Sequence, residues 1–198
     1  MERDDLRNTL VNNTITVIAN EGLDRTTTKA ISSAAGVNEA YIYRCFADKE
    51  DLLIATFDKL DEELFQATMA HIPIMYMPSM DFETRCRFYY AAVWRFLLGN
   101  REKCVSFMRY YYSQYFMKHS YEKHQQRYEP LVQEFQKAFR SEANTWMLLN
   151  HILNVMLDFA IKIFDGYLAD DDDTAEHVFR LLYNSVSPYF VKYEEKIG

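Results

Sequence analysis

The chain has 198 residues, 49% of them hydrophobic, and a net charge of −7 from 22 Lys plus Arg against 29 Asp plus Glu. That length holds one large or two small domains with a sizeable core, and the acidic balance excludes a protein that coats nucleic acid regardless of sequence. Cys45, Cys86 and Cys104 are scattered without C-x-x-C spacing, which excludes a disulfide framework and fits the reducing cytoplasm.

In chain order, Leu6, Leu10, Val17 and Ile18 mark the buried stripe of a first helix, and Gly22 closes it. Thr26, Thr27 and Thr28 offer hydroxyls to cap a second, short helix whose Ala30, Ile31, Ala34 and Ala35 form a small apolar face. Gly36 supplies the positive φ of a tight turn and Val37 a core plug. Asn38 is placed to cap a third helix, with Ile42 and Phe46 on its inner face and Glu39, Tyr41, Tyr43 and Arg44 on the other. Asp48 caps the helix that starts at Lys49 and runs on through Leu53, Phe57, Leu60, Leu64 and Met69. Two short helices joined by a glycine turn are a helix-turn-helix, whose second helix enters the DNA major groove.

Residues 71–80, HIPIMYMPSM, hold Pro73 and Pro78 and read as a linker. Helices are expected over 82–100, with Phe88, Ala92 and Phe96 four apart, over 102–119, and over 121–140, where Pro130 should kink the helix or start it afresh. The next, over 141–168, is apolar on two sides. Trp146, Leu149, Leu153, Met156, Ala160, Ile163 and Tyr167 line one, and Leu148, Ile152, Val155 and Phe159 the other, so it must be covered twice. Asn150, His151, Asn154, Asp158 and Lys162 interrupt it and argue against a membrane span. Residues 170–173 are four aspartates, a solvated loop and cap for a last helix opened by Thr174, with Val178, Leu182, Val186 and Tyr189 as its stripe and Pro188 at its end. The fold class is all-α. A three-helix head, residues 1–49, is joined by a fourth helix to a helical-bundle body for ligand binding and dimerisation, residues 50–198.

The stretch from 26 to 52 resembles the tetracycline-repressor-like (TetR) regulators. Their head reads Thr-Thr-x-x-x-Ile-x-x-x-Ala-Gly-Val, then Tyr-x-x-Phe, then Lys-Glu-x-Leu. Here these are Thr26–Thr27, Ile31, Ala35–Gly36–Val37, Tyr43, Phe46, Lys49–Glu50 and Leu52. The resemblance covers the first quarter to third of the chain. Departures at Asn13–Thr14, Ala40 and Cys45 bear on operator sequence and phosphate contacts, not on the fold. The resemblance implies a DNA-binding transcriptional repressor that dimerises and leaves its operator when an effector in the body changes the tilt of the fourth helix. It also implies that Tyr43 and Lys49 touch phosphates.

The DNA-binding set is Thr27, Thr28, Lys29, Asn38, Glu39, Tyr41, Tyr43, Arg44 and Lys49. Among these, Lys29 suits guanine, Asn38 adenine unless consumed as a cap, and Glu39 cytosine. The resemblance implies a dimer seam made by the two last helices of each subunit, at Leu149, Leu153, Met156, Val178, Leu182, Val186 and Tyr189; the alternative is that both apolar faces serve the core of one chain. Aromatic residues concentrate in the body, and Trp94, Tyr111, Tyr115, Trp146 and Phe159, with Asn150 or His151 as polar anchor, are expected to wall a pocket for an apolar effector. His119 and His124 have poor metal spacing and read as surface residues. There is no P-loop, G-x-S-x-G or H-E-x-x-H, so neither an enzyme nor a cofactor is expected. The competing reading keeps the head but has the body dock a protein partner.

Overall fold

Leu6, Leu10, Val11, Ile15, Val17 and Ile18 recur at helical spacing, and all are buried. They build α1 (Arg3–Glu21), the first of nine α-helices in the computed structural model, which describes residues 3–191. The others are α2 (Thr28–Ala34), α3 (Ala40–Cys45), α4 (Lys49–Met69), α5 (Phe82–Leu98), α6 (Arg101–Tyr111), α7 (Tyr121–Gln136), α8 (Thr145–Phe164) and α9 (Asp172–Val186). Among the described residues no strand forms; a lone antiparallel bridge joins Phe139 and Phe190. Two compact units result, one from Met1–Leu64 with Asn100–Gln126, the other from Phe65–Gly99 with Arg127–Gly198. Both α4 and α7 run from one unit into the other.

In the first unit, Leu6, Leu10, Ile31, Ile42, Phe46 and Leu52 form one cluster, with Ala35 and Val37 packed against it. The turn between α2 and α3 follows from its hydrogen bonds. Val37 N–H donates to Ser32 O at 3.0 Å and Gly36 N–H to Ser33 O at 3.2 Å, while Gly36 sits at φ 66°. This is the Schellman pattern, and it uses two of the carbonyls that α2 leaves orphaned. At the start of α4, Asp48 Oδ1 accepts from Asp51 N–H at 2.8 Å and Asp51 Oδ2 from Ala47 N–H at 3.0 Å, a reciprocal cap. Thr14 is fully buried in α1, and its hydroxyl is satisfied by Leu10 O at 2.8 Å.

The same unit includes α6, which lies along α1. Ser106 Oγ donates to Ile15 O at 2.7 Å in a buried bond, and Arg109 Nη1 donates to Ile18 O at 2.5 Å. An aromatic nest completes the unit: the ring of Phe57 lies 4.5 Å from Tyr110, 5.3 Å from Phe107 and 5.4 Å from Phe116. Inside it His124 Nδ1 and Asp61 Oδ1 are hydrogen-bonded at 2.7 Å, with residue exposures of 3% and 0%. His124 is therefore a core residue, not the surface histidine expected, because burial is tolerable once the ring is bonded to a carboxylate. His119 is half-buried and pairs with Glu50.

The second unit departs more from expectation. Residues 71–80 are not a slack linker: Ile72–Tyr76 forms a 3-10 helix with Ile72 and Met75 buried. Asp81 Oδ1 caps α5 by accepting from Thr84 N–H at 2.9 Å. The buried stripe of α5 is Tyr90, Val93, Trp94 and Leu97, while Phe88, the first of the residues spaced four apart, is 51% exposed. In the first unit, the helix expected over 102–119 stops at Tyr111, where Ser113 folds back with both its N–H and its hydroxyl on Tyr110 O. A π-helical turn, Phe116–Ser120, then leads into α7. Pro130 neither ends nor restarts α7, which is helical from Tyr121 to Gln136. Asp171 caps α9 by accepting from Thr174 N–H at 2.8 Å, and those bonds hold its carboxyl below the usual range.

The backbone at Gly36 gives a first test. Nothing lies within 4 Å of a Cβ built there, so only the left-handed conformation resists substitution. Gly36→Ala should cost about 1–2 kcal/mol and lower the thermal midpoint, with Gly36→Asn milder. An unchanged midpoint for the alanine variant would show that the turn can relax.

Candidate nucleic-acid interface

α3 is only six residues long and depends on its neighbours for position. Ile42 and Cys45 anchor it from the inside, at 0% and 6% exposure. Arg7 of α1 holds its C-terminal end: Nη1 donates to Cys45 O at 3.0 Å and the guanidinium lies 4.2 Å from the Phe46 ring centroid. A cation at a helix C-terminus also complements the dipole. Arg7 was not foreseen as part of the site, since nothing in its spacing sets it apart from any other charge on α1.

The outer side of α3 offers Tyr41, Tyr43 and Arg44, all exposed, with the Arg44 guanidinium 5.1 Å from the Tyr41 ring. Lys29 of α2 is exposed as well. The remaining candidates are engaged inside the head. Thr27 Oγ1 caps α2 by accepting from Ala30 N–H at 3.0 Å. Asn38 Oδ1 accepts from Ala40 N–H at 2.9 Å, so its amide cannot make a bidentate pair with adenine without giving up that bond. The Thr28 hydroxyl donates to Glu39 Oε1 and ties the start of α2 to the start of α3. Lys49 Nζ donates to Thr26 O at 3.1 Å, which occupies one of its three donors. The result is a capped unit with two aromatic hydroxyls and two exposed cations on α2 and α3, groups of the kind that contact phosphates.

Residues 10–56 match the family model described as bacterial regulatory proteins, tetR family. The head belongs to the TetR family. The chain as a whole has the fold of solved TetR regulators. One, a TetR family transcription regulator from Marinobacter aquaeolei VT8, is 19% identical, with 96% of this chain and 97% of that one aligned at a TM-score of 0.77. A TetR-like transcriptional regulator from Rhodococcus sp. RHA1 is 13% identical over 94% and 98% of the two chains, at a TM-score of 0.70. Among curated proteins, no sequence matches at a comparable level.

Beyond the TetR head, the residues expected to wall one pocket fall in different units. Tyr111 and Tyr115 are in the first. Tyr111 is packed in the nest, 4.4 Å from Phe116 and 5.6 Å from Phe107, and burial pushes its hydroxyl pKa up. Tyr115 stacks on Tyr110 at 6.3 Å. In the second unit, Trp94 is buried against Tyr90 at 5.7 Å, and Trp146 packs on the core cluster around Leu131 and Phe135. Asn150 is half-buried, and Phe159 lies under the Lys162 ammonium at 5.0 Å. His151, offered as a buried anchor, is exposed and bonds Ser185 Oγ at 3.0 Å. None of these residues lines the cavity of about 380 Å³ in the second unit.

The dimer seam needs a similar correction. Met156, Val178, Leu182 and Val186 are 3%, 1%, 4% and 4% exposed inside the chain's own unit and are not offered to a partner. Leu149 and Leu153 are half-buried against that unit's core, and Tyr189 is exposed. Periodicity found the apolar stripe correctly but could not say which body covers it. Burial also pushes the thiols of Cys86 and Cys104 up to about 12, so neither is a nucleophile at neutral pH.

The Thr28–Glu39 link generates the second test. Glu39→Ala should weaken binding to preferred and unrelated duplexes alike, because it loosens the seating of α3. Operator selection with the variant would reveal a base-reading role instead, if preference relaxed at one position only.

Proposed function

We propose that this TetR-type protein is a dimeric transcriptional repressor that grips its operator through α3 and lets go when a small molecule occupies the body. The observation that carries the reading is the presentation of Tyr41, Tyr43, Arg44 and Lys29 from a head in which Thr27, Thr28, Asn38 and Glu39 are spent on fixing α2 and α3. With few exposed cations per head, affinity has to come from two heads acting together. The continuous α4 offers a covalent route by which the body affects the head.

The dimer reading is supported by α8. It is the one helix among the described residues long and apolar enough to cross a membrane, yet only 17% of its apolar window is buried. It packs against α5 and α9 as a bundle helix does. The His151–Ser185 bond marks the solvent side of the α8–α9 pair. Met147 and Val155 lie one turn to either side of His151, and Leu181 one turn before Ser185. Met147 is 66% exposed and Leu181 58%. This outer face is the proposed seam, in place of the buried stripe.

Two measurements test the reading. Lys29→Ala and Arg44→Ala should each lower operator affinity. If the lost contact is to a phosphate, each should reduce the slope of log affinity against log salt by about 0.9 per contact. Wild-type affinity and slope in both variants would remove α2 and α3 from the interface. In sedimentation, Met147→Glu combined with Leu181→Glu should yield a folded monomer with weakened operator binding, whereas a dimer that survives places the seam elsewhere.

A further inference from the structure

The cavity of about 380 Å³ lies within the second unit, among the 3-10 helix Ile72–Tyr76, the start of α5, the end of α7 and Val191. Ile72, Met75 and Phe135 are buried members of its wall, and Phe82, Ala138 and Val191 complete the apolar lining. Both phenyl rings are held from behind. Phe82 meets Phe190 edge-on with centroids 4.7 Å apart, and Phe135 meets Tyr89 in the same way at 5.3 Å. A preformed apolar wall of this kind is what small-molecule sites have, and the size falls at the lower end of their range of about 300–1,000 Å³. At roughly 30 Å³ per water-sized unit, that is room for about a dozen non-hydrogen atoms.

The charged residues of the lining are already engaged within the chain. Lys137 Nζ donates to both oxygens of Glu134, at 3.0 and 2.9 Å, and the Tyr76 hydroxyl donates to the same carboxylate. Tyr76 and Lys137 thereby hold the Glu134 carboxyl below its usual range. Arg85 is 8% exposed, with Nη1 donating to Met75 O at 2.8 Å and its guanidinium 5.6 Å from the Phe82 ring. A charged ligand would have to shed its hydration and also displace one of these partners. An uncharged ligand does neither: it leaves the ion pair and the Arg85 bond intact and replaces water along the apolar walls.

We propose that this cavity binds an uncharged, largely apolar molecule of about a dozen non-hydrogen atoms, packed against Ile72, Met75, Phe82 and Phe135. The assignment rests on the effector reading above for its consequence at the operator, but not for the binding itself. Selectivity comes from what the site rejects: size is limited by the walls, and charge by the engaged state of Arg85, Glu134 and Lys137.

Calorimetry on the full chain at neutral pH would use matched probes: octan-1-ol with octanoate and octylamine, and 3-phenylpropan-1-ol with its acid and amine. Each alcohol should bind roughly tenfold or more tightly than its acid and its amine. Ala138→Trp and Val191→Trp fill the cavity from two different walls, both half-buried positions. Each should weaken alcohol binding roughly tenfold or more, and having two keeps the proposal testable if one folds poorly. Glu134→Gln combined with Lys137→Met should leave alcohol binding unchanged, since those groups serve each other. An acid or amine that binds as tightly as its alcohol, alcohol binding that survives both filling variants or is lost in the Glu134–Lys137 double variant, or no binding of any probe would overturn the proposal. Alcohol binding without operator release supports the cavity assignment and counts against the effector reading. Operator release by an alcohol that persists in both filling variants does the reverse.

Discussion

α1 is packed from more than one side, and the arrangement of the first unit depends on that. Leu6, Leu10 and Val11 face the cluster that holds α2 and α3. Farther along, Ile15 and Ile18 present carbonyls that accept from Ser106 and Arg109 of α6. These carbonyls already belong to the helix ladder, so the added donors act as clamps on an intact helix and not as caps. A head held this way cannot rotate about α1 without breaking bonds to α6. The N-terminal segment and a helix about ninety positions later in the chain therefore behave as one rigid piece.

The head was legible because its residues act over short distances. A hydroxyl three residues before an N–H, a glycine at a left-handed turn and two apolar residues four apart are local devices, and Thr27, Gly36, Ile42 and Phe46 perform as their spacing says. The start of α9 was legible for the same reason, as Asp171 shows, whereas α8 runs only over Thr145–Phe164, inside the expected 141–168, with Asn144 as its cap. The exception in the head is Arg7, whose partner lies 38 residues away.

The sites in the body were not legible, because they depend on which of several apolar faces meets which. Val178, Leu182 and Val186 look the same in sequence whether they meet α8 of their own chain or of another. The aromatic residues of the body stood out in composition, but Tyr110 and Tyr111 are spent in the nest with Phe57 and Phe116. The cavity formed instead where a proline-bearing segment, taken for a linker, turned into a 3-10 helix and brought Met75 beside Arg85. His124 illustrates the same point: its carboxylate partner Asp61 is 63 residues distant, and without that partner burial would be costly.

Cys45 sits on the inner side of α3, 6% exposed, and its own carbonyl receives Arg7. The sulfur can meet a bulky alkylating reagent only when α3 has left its seat. The other two thiols are kept protonated by burial, and a thiol in that state reacts slowly. The chain thus contains a built-in clock for local opening: the rate at which Cys45 is alkylated under native conditions reads how often the recognition helix lifts off, separately from any unfolding of the body.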